Sequence, residues 1–211
     1  GDPEYGALIA YGAIENKKHI IMVNVECDSV VGPILYQMAK EANLVYTGTK
    51  GDEPGAIIEL AEFAQATGFD LLAVGKGKNN KLDRYATEDS LAEEAGKKGL
   101  NPRMLTSFVD GTNTMIELTS VANALGFLPD VDGCHGIETN PKRAAKDFSL
   151  KSQGGVLDNY GVVDYAFGMA PGVFALVTTD QKEVVDLMNY LSMGEGPNYI
   201  IYRPYHLTSL E

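Results

Sequence analysis

Cysteine, basic residues and long apolar runs are all scarce in this sequence of 211 residues. The two cysteines, Cys27 and Cys134, lie far apart without ligand-type spacing, which argues against zinc ribbons and disulfide scaffolds. Seventeen Lys and Arg residues against 29 Asp and Glu residues give a net charge of -12, which argues against binding to a phosphate backbone. No apolar run approaches the ~20 residues of a membrane helix, so we predict a cytoplasmic protein with no nucleic-acid or membrane partner.

The residues that are present, 45% hydrophobic and 22% charged, are typical of a globular protein with a sizeable core. The length allows one large domain or two small ones. The sequence opens at Gly1 without an initiator methionine, and we therefore expect a central fragment of a longer protein.

Apolar periodicity in the first third alternates between helical and strand spacing. Connections between these elements are short, which predicts parallel neighbouring strands and an α/β sheet. The predicted helices cover residues 3–16, a segment from Asp28 or Ser29 to Ala42, and a segment from Glu53 to Gly68; the predicted strands cover residues 18–25, 44–49 and 69–78.

Residues 87–126 are predicted to be helical, and the residues after them are predicted to contain loops, strands and one helix. Ala170-Pro171-Gly172 between two apolar runs is a hairpin signal. The predicted elements are helices at 87–99, 101–110 and 111–126, a loop-rich segment at 127–160, hairpin strands at 162–169 and 173–178, a helix at 183–191 and a strand at 199–202.

Two polar turns follow predicted strands, and ligands in open α/β sheets bind beyond the carboxyl ends of strands. In the first turn, Glu26 could hold a substrate hydroxyl or a metal, while Cys27 could be buried and Asp28 could simply cap the next helix. In the second, Lys76 and Lys78 point to one face of a strand and could bind a phosphate or carboxylate. The spacing there is neither a P-loop nor a dinucleotide fingerprint, and by itself it slightly favours a solvated turn.

A predicted helix after Phe108 has an apolar face and a second, polar face. Asp110, Asn113, Glu117 and Ser120 recur on the polar face at intervals of three and four. This face could be exposed, but it lacks the long charged side chains of a solvated surface, which favours a pocket lining.

Histidine is represented by three residues, and His206 is the best suited of them to acid–base work because a loop places it near Arg203 and two tyrosines. His19 begins a strand and is more typical of a structural residue. His135 follows Cys134 directly, which is weak evidence for a nucleophile.

Seven segments in order resemble the homoserine-dehydrogenase-like NAD(P)-dependent oxidoreductases that carry a C-terminal SAF domain, one branch of which is the deoxyxylulose-phosphate-reductoisomerase-like enzymes of isoprenoid synthesis. The segments are Val23-Asn-Val-Glu-Cys-Asp, Gly51-Asp-Glu-Pro-Gly-Ala-Ile, Ala73-Val-Gly-Lys-Gly-Lys-Asn-Asn, Asn101-Pro-Arg-Met, Ser107-Phe-Val-Asp-Gly-Thr, Gly154-Gly-Val-Leu and Tyr202-Arg-Pro-Tyr-His-Leu.

The resemblance implies part of a Rossmann domain at residues 1–51, a mixed α+β catalytic and dimerisation domain at 52–200, and a return segment at 201–211. Neither the glycine-rich phosphate loop nor the SAF domain is in the sequence. Asn24 matches the Asn of a Thr-Ala-Asn-Lys motif whose Lys is replaced by Val25, and the family's catalytic Lys falls near Glu117, so its proton chemistry cannot be transferred.

These observations predict a homodimeric oxidoreductase that moves hydride between NADP or NAD and a small hydroxy-carbonyl or sugar-phosphate-like substrate, with a divalent metal possible. Two alternatives remain open: a substrate-binding and dimerisation module without turnover, and a carbon–carbon lyase with a Schiff-base lysine. The predicted catalytic residues are Lys76, Lys78, Asp110, Glu117 and His206; the substrate-binding residues are Glu26, Asn79, Asn113 and Arg203; the cofactor-binding residues are Asn24, Glu26 and Tyr205.

Overall fold

The computed structural model describes residues 2–204 and divides the chain into two compact units. The first unit contains residues 2–52 and 80–117, and the second contains residues 53–79 and 118–204. Strands and helices occur in both, so the predicted α/β class is confirmed. No helix within the described residues is long and apolar enough to cross a membrane.

The first unit is built around a short parallel strand pair. Strand β1 pairs in parallel with β2, and α2 connects them, so the three elements form a β–α–β unit. Its core contains Ile14, Ile20, Leu35 and Ala39. The elements are α1 (Pro3–Glu15), β1 (Ile20–Met22), α2 (Val25–Glu41), β2 (Tyr46–Gly48), α4 (Glu88–Lys98) and α5 (Pro102–Val109), with α6 (Thr112–Leu125) beginning here and ending in the second unit.

The second unit is built on a six-stranded mixed sheet with β3 at its centre. The strand order is β4-β6-β3-β7-β8, and β5 also pairs with β6. Strand β3 is parallel to β6 and antiparallel to β7. The elements are α3 (Glu53–Ala66), β3 (Asp70–Lys78), β4 (Leu128–Pro129), β5 (Ile137–Glu138), α7 (Ala144–Asp147), a short 3-10 helix (Lys151–Gln153), β6 (Val162–Phe167), β7 (Val173–Thr178), α8 (Lys182–Tyr190) and β8 (Asn198–Arg203).

The two faces of this sheet are covered by different segments. Helix α3 contacts β3, β7 and β8 on one face. The other face belongs to the core that contains Phe148, Phe174 and Leu176, to which α7 contributes Ala144. Because side chains alternate along a strand, consecutive residues of β3 face α3 and α7 in turn.

Two glycines permit close packing on the α7 side of β3. A Cβ at Gly75 would overlap the backbone oxygen of Asp164, and one at Gly77 would overlap the backbone of Met169 and Ala170. The Gly77 amide also donates to the Gly172 carbonyl at 2.7 Å. The connection between β6 and β7 therefore crosses the end of β3 in direct contact with a strand that has no side chain there.

This crossing explains why the predicted hairpin is wrong. Strands β6 and β7 do not pair with each other, because β3 lies between them and pairs with both. The prediction that β3 continues one parallel sheet after β2 is also wrong. Both hydrogen-bonding edges of β3 are taken by strands from residues 162–178, and β1 and β2 form a separate two-stranded sheet.

Most predicted helices are confirmed, but the predicted start of α2 is wrong. Thr87 caps α4 with the predicted Ser90 partner, and Gly99 ends that helix with a φ of 65°. Helix α2 begins four residues before Ser29, because the Asn24 side chain accepts from the Cys27 amide and caps the helix. Asp28 accepts instead from the Tyr46 hydroxyl at 2.6 Å, so it does not serve as the cap.

We predict that Gly77→Ala lowers the free energy of unfolding by about 1–3 kcal/mol, since the added methyl group must displace packed backbone. Gly96→Ala is the control, because Gly96 is exposed on α4 and no atom would lie within 4 Å of its Cβ. That change should leave stability unchanged or raise it by up to ~1 kcal/mol. Urea unfolding followed by circular dichroism checks both, and equal effects would contradict the packing argument.

Candidate active site

Two buried lysines mark the α3-covered face of β3. Lys76 and Lys78 are only 4% and 6% exposed, so the interpretation as a solvated turn is wrong. Lys76 lies opposite Tyr165 on β6 and Val173 on β7, and Val173 in turn lies opposite Arg203 on β8. Because paired residues share a face, these cationic side chains lie on the same side of the sheet.

A glutamate at the start of α3 forms an ion pair with the first lysine. The Lys76 Nζ atom lies 2.5 Å from the Glu53 Oε1 atom, and the two side chains are 5% and 15% exposed. Glu53 is the first residue of α3, where a carboxylate also interacts favourably with the helix dipole. Burial of such a pair costs solvation of both charges, so loss of either partner leaves the other charge poorly compensated.

A second ion pair joins the same helix to the same face of the sheet. The Arg203 guanidinium donates to the Glu59 Oε2 atom at 3.1 Å. The two side chains are partly exposed, which makes this pair weaker than the first. Two carboxylates of α3 therefore hold two cations of β3 and β8 in place.

This arrangement can recognise an oxygen that is negatively charged or becomes so. Lysine ammonium groups donate up to three hydrogen bonds each, and a low local dielectric strengthens their interaction with an anion. Asn79 follows β3 directly and is exposed, which leaves its amide accessible at the end of the strand. We name Lys76, Lys78, Glu53, Glu59 and Arg203 the lysine face.

Sequence reasoning missed the two glutamates of the lysine face, and it missed Tyr165, which pairs with Lys76. The sequence pattern identifies Glu53 only as the start of a helix. A usable signal was present, because α3 directly precedes β3 and must run back along it. A carboxylate at the start of the helix then lies over the end of the strand, where the lysines are.

The predicted residues of the first strand turn have structural roles. The Asn24 amide accepts from the Cys27 backbone and donates to the Asp2 carbonyl at 2.8 Å. Cys27 is fully buried, and burial followed by the charge of Asp28 raises the pKa of its thiol. Glu26 lies half-buried in the first turn of α2. The cofactor and substrate roles of Asn24 and Glu26 stay predictions.

The polar stripe on α6 is buried at its start and exposed at its end. Asn113 and Glu117 are buried, whereas Ser120 is exposed. The Asp110 carboxylate accepts from the Thr112 amide at 2.8 Å and so supports the start of the helix. Asn113 and Glu117 therefore do not belong to an exposed solubility face, and their roles with a substrate stay predictions.

Cys134 has the environment of an inert thiol. Its side chain is buried and donates to the Val163 carbonyl at 3.5 Å. Burial, and then the charge of Asp164, raises the pKa of the thiol to about 12. Because the thiolate is the nucleophile, this environment argues against a Cys134-His135 nucleophilic pair.

The catalytic-domain model of the family described as oxidoreductase DRL matches residues 51–211. The chain belongs to this family. The protein is accordingly an oxidoreductase, and its family chemistry is compatible with a redox cofactor. No curated protein matches the chain.

The predicted site residues are divided between the two units. Lys76, Lys78, Asn79 and Arg203 lie in the second unit. The first unit contains Asn24, Glu26, Asp110, Asn113 and Glu117. Tyr205 and His206 lie outside the described residues, so their roles stay predictions.

We predict that Lys76→Met destabilises the protein by about 3–5 kcal/mol, because it removes the cation that compensates a poorly hydrated Glu53 carboxylate. Lys97→Met is the matched control, since Lys97 forms an exposed ion pair with Glu93 at 2.6 Å. The control should change stability by less than ~0.5 kcal/mol. Chemical denaturation measures both variants, and similar losses would show that the Lys76 pair has no special role.

Acid sensitivity should arise at Asp130. Burial acts to raise the pKa of this carboxyl, but hydrogen bonds from His135, Asp158 and Asn159 outweigh burial and lower the pKa to about 2. The stabilisation is therefore present above the ordinary value near 3.8 and is lost as the pH falls toward 2. Asp130→Asn should destabilise the protein by about 1–3 kcal/mol at pH 7, with a smaller difference from the parent near pH 2.

Asp132→Asn provides the control for this prediction, because Asp132 lies exposed in the same loop. Denaturation of both variants between pH 7 and pH 2 measures the effect. An Asp130→Asn penalty that does not shrink in acid would refute the role given to the ionised carboxylate.

Proposed function

We propose that the protein is an NAD(P)-dependent oxidoreductase of the homoserine-dehydrogenase-like kind, and that the lysine face binds a small hydroxy-carbonyl or sugar-phosphate-like substrate. The family match supports the oxidoreductase class. The observation that carries the substrate assignment is the burial of Lys76 and Lys78 together at the carboxyl end of β3.

Burial of two cations two residues apart on one face of a strand has a large solvation cost. Proteins offset this cost with ion pairs or with bound anions. Glu53 compensates Lys76, and Glu59 compensates Arg203. A phosphate or carboxylate of a substrate would bind at Lys78 in addition to the contacts that the lysine side chains make within the protein. Clusters of buried, charged side chains of this kind occur preferentially at functional sites.

The chemistry follows from the same positions. A bound nicotinamide supplies or accepts a hydride at the substrate carbon. In the reducing direction, the Lys76 ammonium would donate a hydrogen bond to the carbonyl oxygen and transfer a proton to it as negative charge develops. Glu53 would act as a positioning residue, because its carboxylate fixes the Lys76 ammonium at 2.5 Å.

The first unit supports only part of a nicotinamide dinucleotide site. Its parallel β1–α2–β2 unit is compatible with the later part of a Rossmann sheet. The turn after β1 is Val23-Asn24 rather than a glycine-rich loop, and the Asn24 amide is already occupied. We therefore assign no described residue to the pyrophosphate, and we propose residues 1–51 as the Rossmann part and residues 52–200 as the catalytic and dimerisation domain.

The proposal is tested by nucleotide binding and turnover. Calorimetry should detect binding of NADPH or NADH, and loss of nucleotide absorbance should accompany turnover with a panel of sugar phosphates and hydroxy-carbonyl compounds. Failure of both nucleotides to bind would overturn the proposed cofactor class. Borohydride trapping of a lysine–substrate adduct would instead support the Schiff-base alternative.

We predict that Lys78→Gln raises the KM for a phosphorylated or carboxylated substrate about 10- to 100-fold, the loss expected for one charge-assisted hydrogen bond. The kcat should change less, because binding of a remote anionic group is lost equally from substrate and transition state. Lys81→Gln is the matched control, since Lys81 is exposed three residues further along. An unchanged KM in Lys78→Gln would rule out the assigned substrate face.

A further inference from the structure

A polar groove lies on the α7 side of the mixed sheet, opposite the lysine face. Two segments form its walls, one around α7 and the 3-10 helix and the other between α8 and β8. The groove has a volume of about 530 Å³, which is within the ~300–1,000 Å³ typical of small-molecule sites. Its polar lining includes Lys142, Lys146, Ser149, Gln153, Glu195 and Asn198.

The groove is far from the lysine face. Asn198 pairs with Thr178, which also pairs with Asp70 at the start of β3, whereas Arg203 pairs with Val173 at the opposite end. The five steps from Asn198 to Arg203 span about 17 Å at roughly 3.3 Å per residue. The groove also lies on the α7 side of the sheet rather than the α3 side, so one ligand of moderate size cannot occupy both places.

The wall around α7 is strongly basic in an acidic protein. Four cations, Lys142, Arg143, Lys146 and Lys151, occur within ten residues, against a net charge of -12 for the whole chain. Arg143 pairs with Asp147 and Lys151 pairs with Asp158. Lys142 and Lys146, the two that line the groove, form no ion pair with a carboxylate among residues 2–204.

The partly buried Tyr160 orients the side-chain amides of two residues that line the groove. The Tyr160 hydroxyl donates to the Gln153 Oε1 atom at 2.7 Å and accepts from the Asn198 Nδ2 atom at 2.9 Å. These bonds use the oxygen of Gln153 and the nitrogen of Asn198. The Gln153 NH2 group and the Asn198 oxygen therefore remain as one donor and one acceptor for a ligand.

The opposite wall is formed by residues 194–198, which alternate glycine with larger residues at its start. Gly194 and Gly196 line the groove, and a Cβ at Gly196 would lie 2.7 Å from the Tyr199 hydroxyl. The Thr178 hydroxyl donates to the Pro197 carbonyl at 2.8 Å and holds this segment to the sheet. Close packing against Tyr199 thus leaves no room for a side chain at Gly196.

We propose that this groove is a second ligand site, which binds a phosphorylated polyhydroxyl compound. Lys142 and Lys146 would bind the phosphate as two adjacent point charges. Gln153, Asn198 and the Glu195 carboxylate would hydrogen-bond to the hydroxyl groups. The two lysines favour a ligand with an anionic group. The donor of Gln153 and the acceptor of Asn198 favour a ligand that also carries several hydroxyl groups.

Isothermal titration calorimetry with ribose 5-phosphate tests the proposal, with ribose and inorganic phosphate as separate probes. The unaltered chain should bind ribose 5-phosphate at least tenfold more tightly than either component alone. The double variant Lys142→Gln/Lys146→Gln should weaken that binding at least tenfold. Lys97→Gln/Lys98→Gln is the matched control, because it removes the same charge from the exposed end of α4 and should leave binding unchanged.

Three outcomes would overturn the proposal. Absence of binding, or equal weakening in both double variants, would show that no specific cation pair exists in the groove. Equal affinity for ribose 5-phosphate and inorganic phosphate would show that the oriented amides take no part. Loss of binding in Lys78→Gln would place the probe on the lysine face, which separates failure of this inference from failure of the proposed function.

Discussion

Strand β3 ends in the sequence Gly75-Lys76-Gly77-Lys78, so glycine and lysine alternate between its two faces. On one side, Gly75 and Gly77 allow the backbone of the β6–β7 connection to pack directly on the strand. On the other side, Lys76 and Lys78 are buried beneath the segments that cover the sheet. The two glycines therefore permit the close crossing of the β6–β7 connection, and the two lysines give the other face its charge.

Burial of Lys76 is possible because α3 and β3 have matched lengths. Helix α3 has 14 residues and spans about 21 Å, and the six steps from Asp70 to Lys76 span about 20 Å. A short turn joins the two elements, so the helix runs back along the strand and its first residue lies over Lys76. The Glu53–Lys76 pair is thus a geometric consequence of an α–β unit with these lengths, and the pair in turn limits how far the helix can shift.

Local sequence signals predicted most helices and strands, but they did not predict which strands pair with each other. The Thr87 cap, the Gly99 stop and the length of β3 depend on nearby residues and are found where periodicity and capping place them. The position of β3 between β6 and β7 depends on contacts between residues about 90 to 110 apart in the chain. Asp28 shows the same limit, because its carboxylate serves Tyr46 on another element instead of the adjacent helix end.

Cations in the second unit occur in two electrostatic settings, and these suit different tasks. Lys76 is held by Glu53 away from water, where salt screens little and a hydrogen bond to a reacting oxygen is strengthened. Lys142 and Lys146 are exposed and bordered by compensated neighbours, where attraction of an anion is longer in range but readily screened. A buried, fixed ammonium favours stabilisation of developing charge, whereas an exposed pair favours reversible capture of a ligand already charged. The sheet between them separates the two environments by its own thickness and length, so each can be altered without repacking the other.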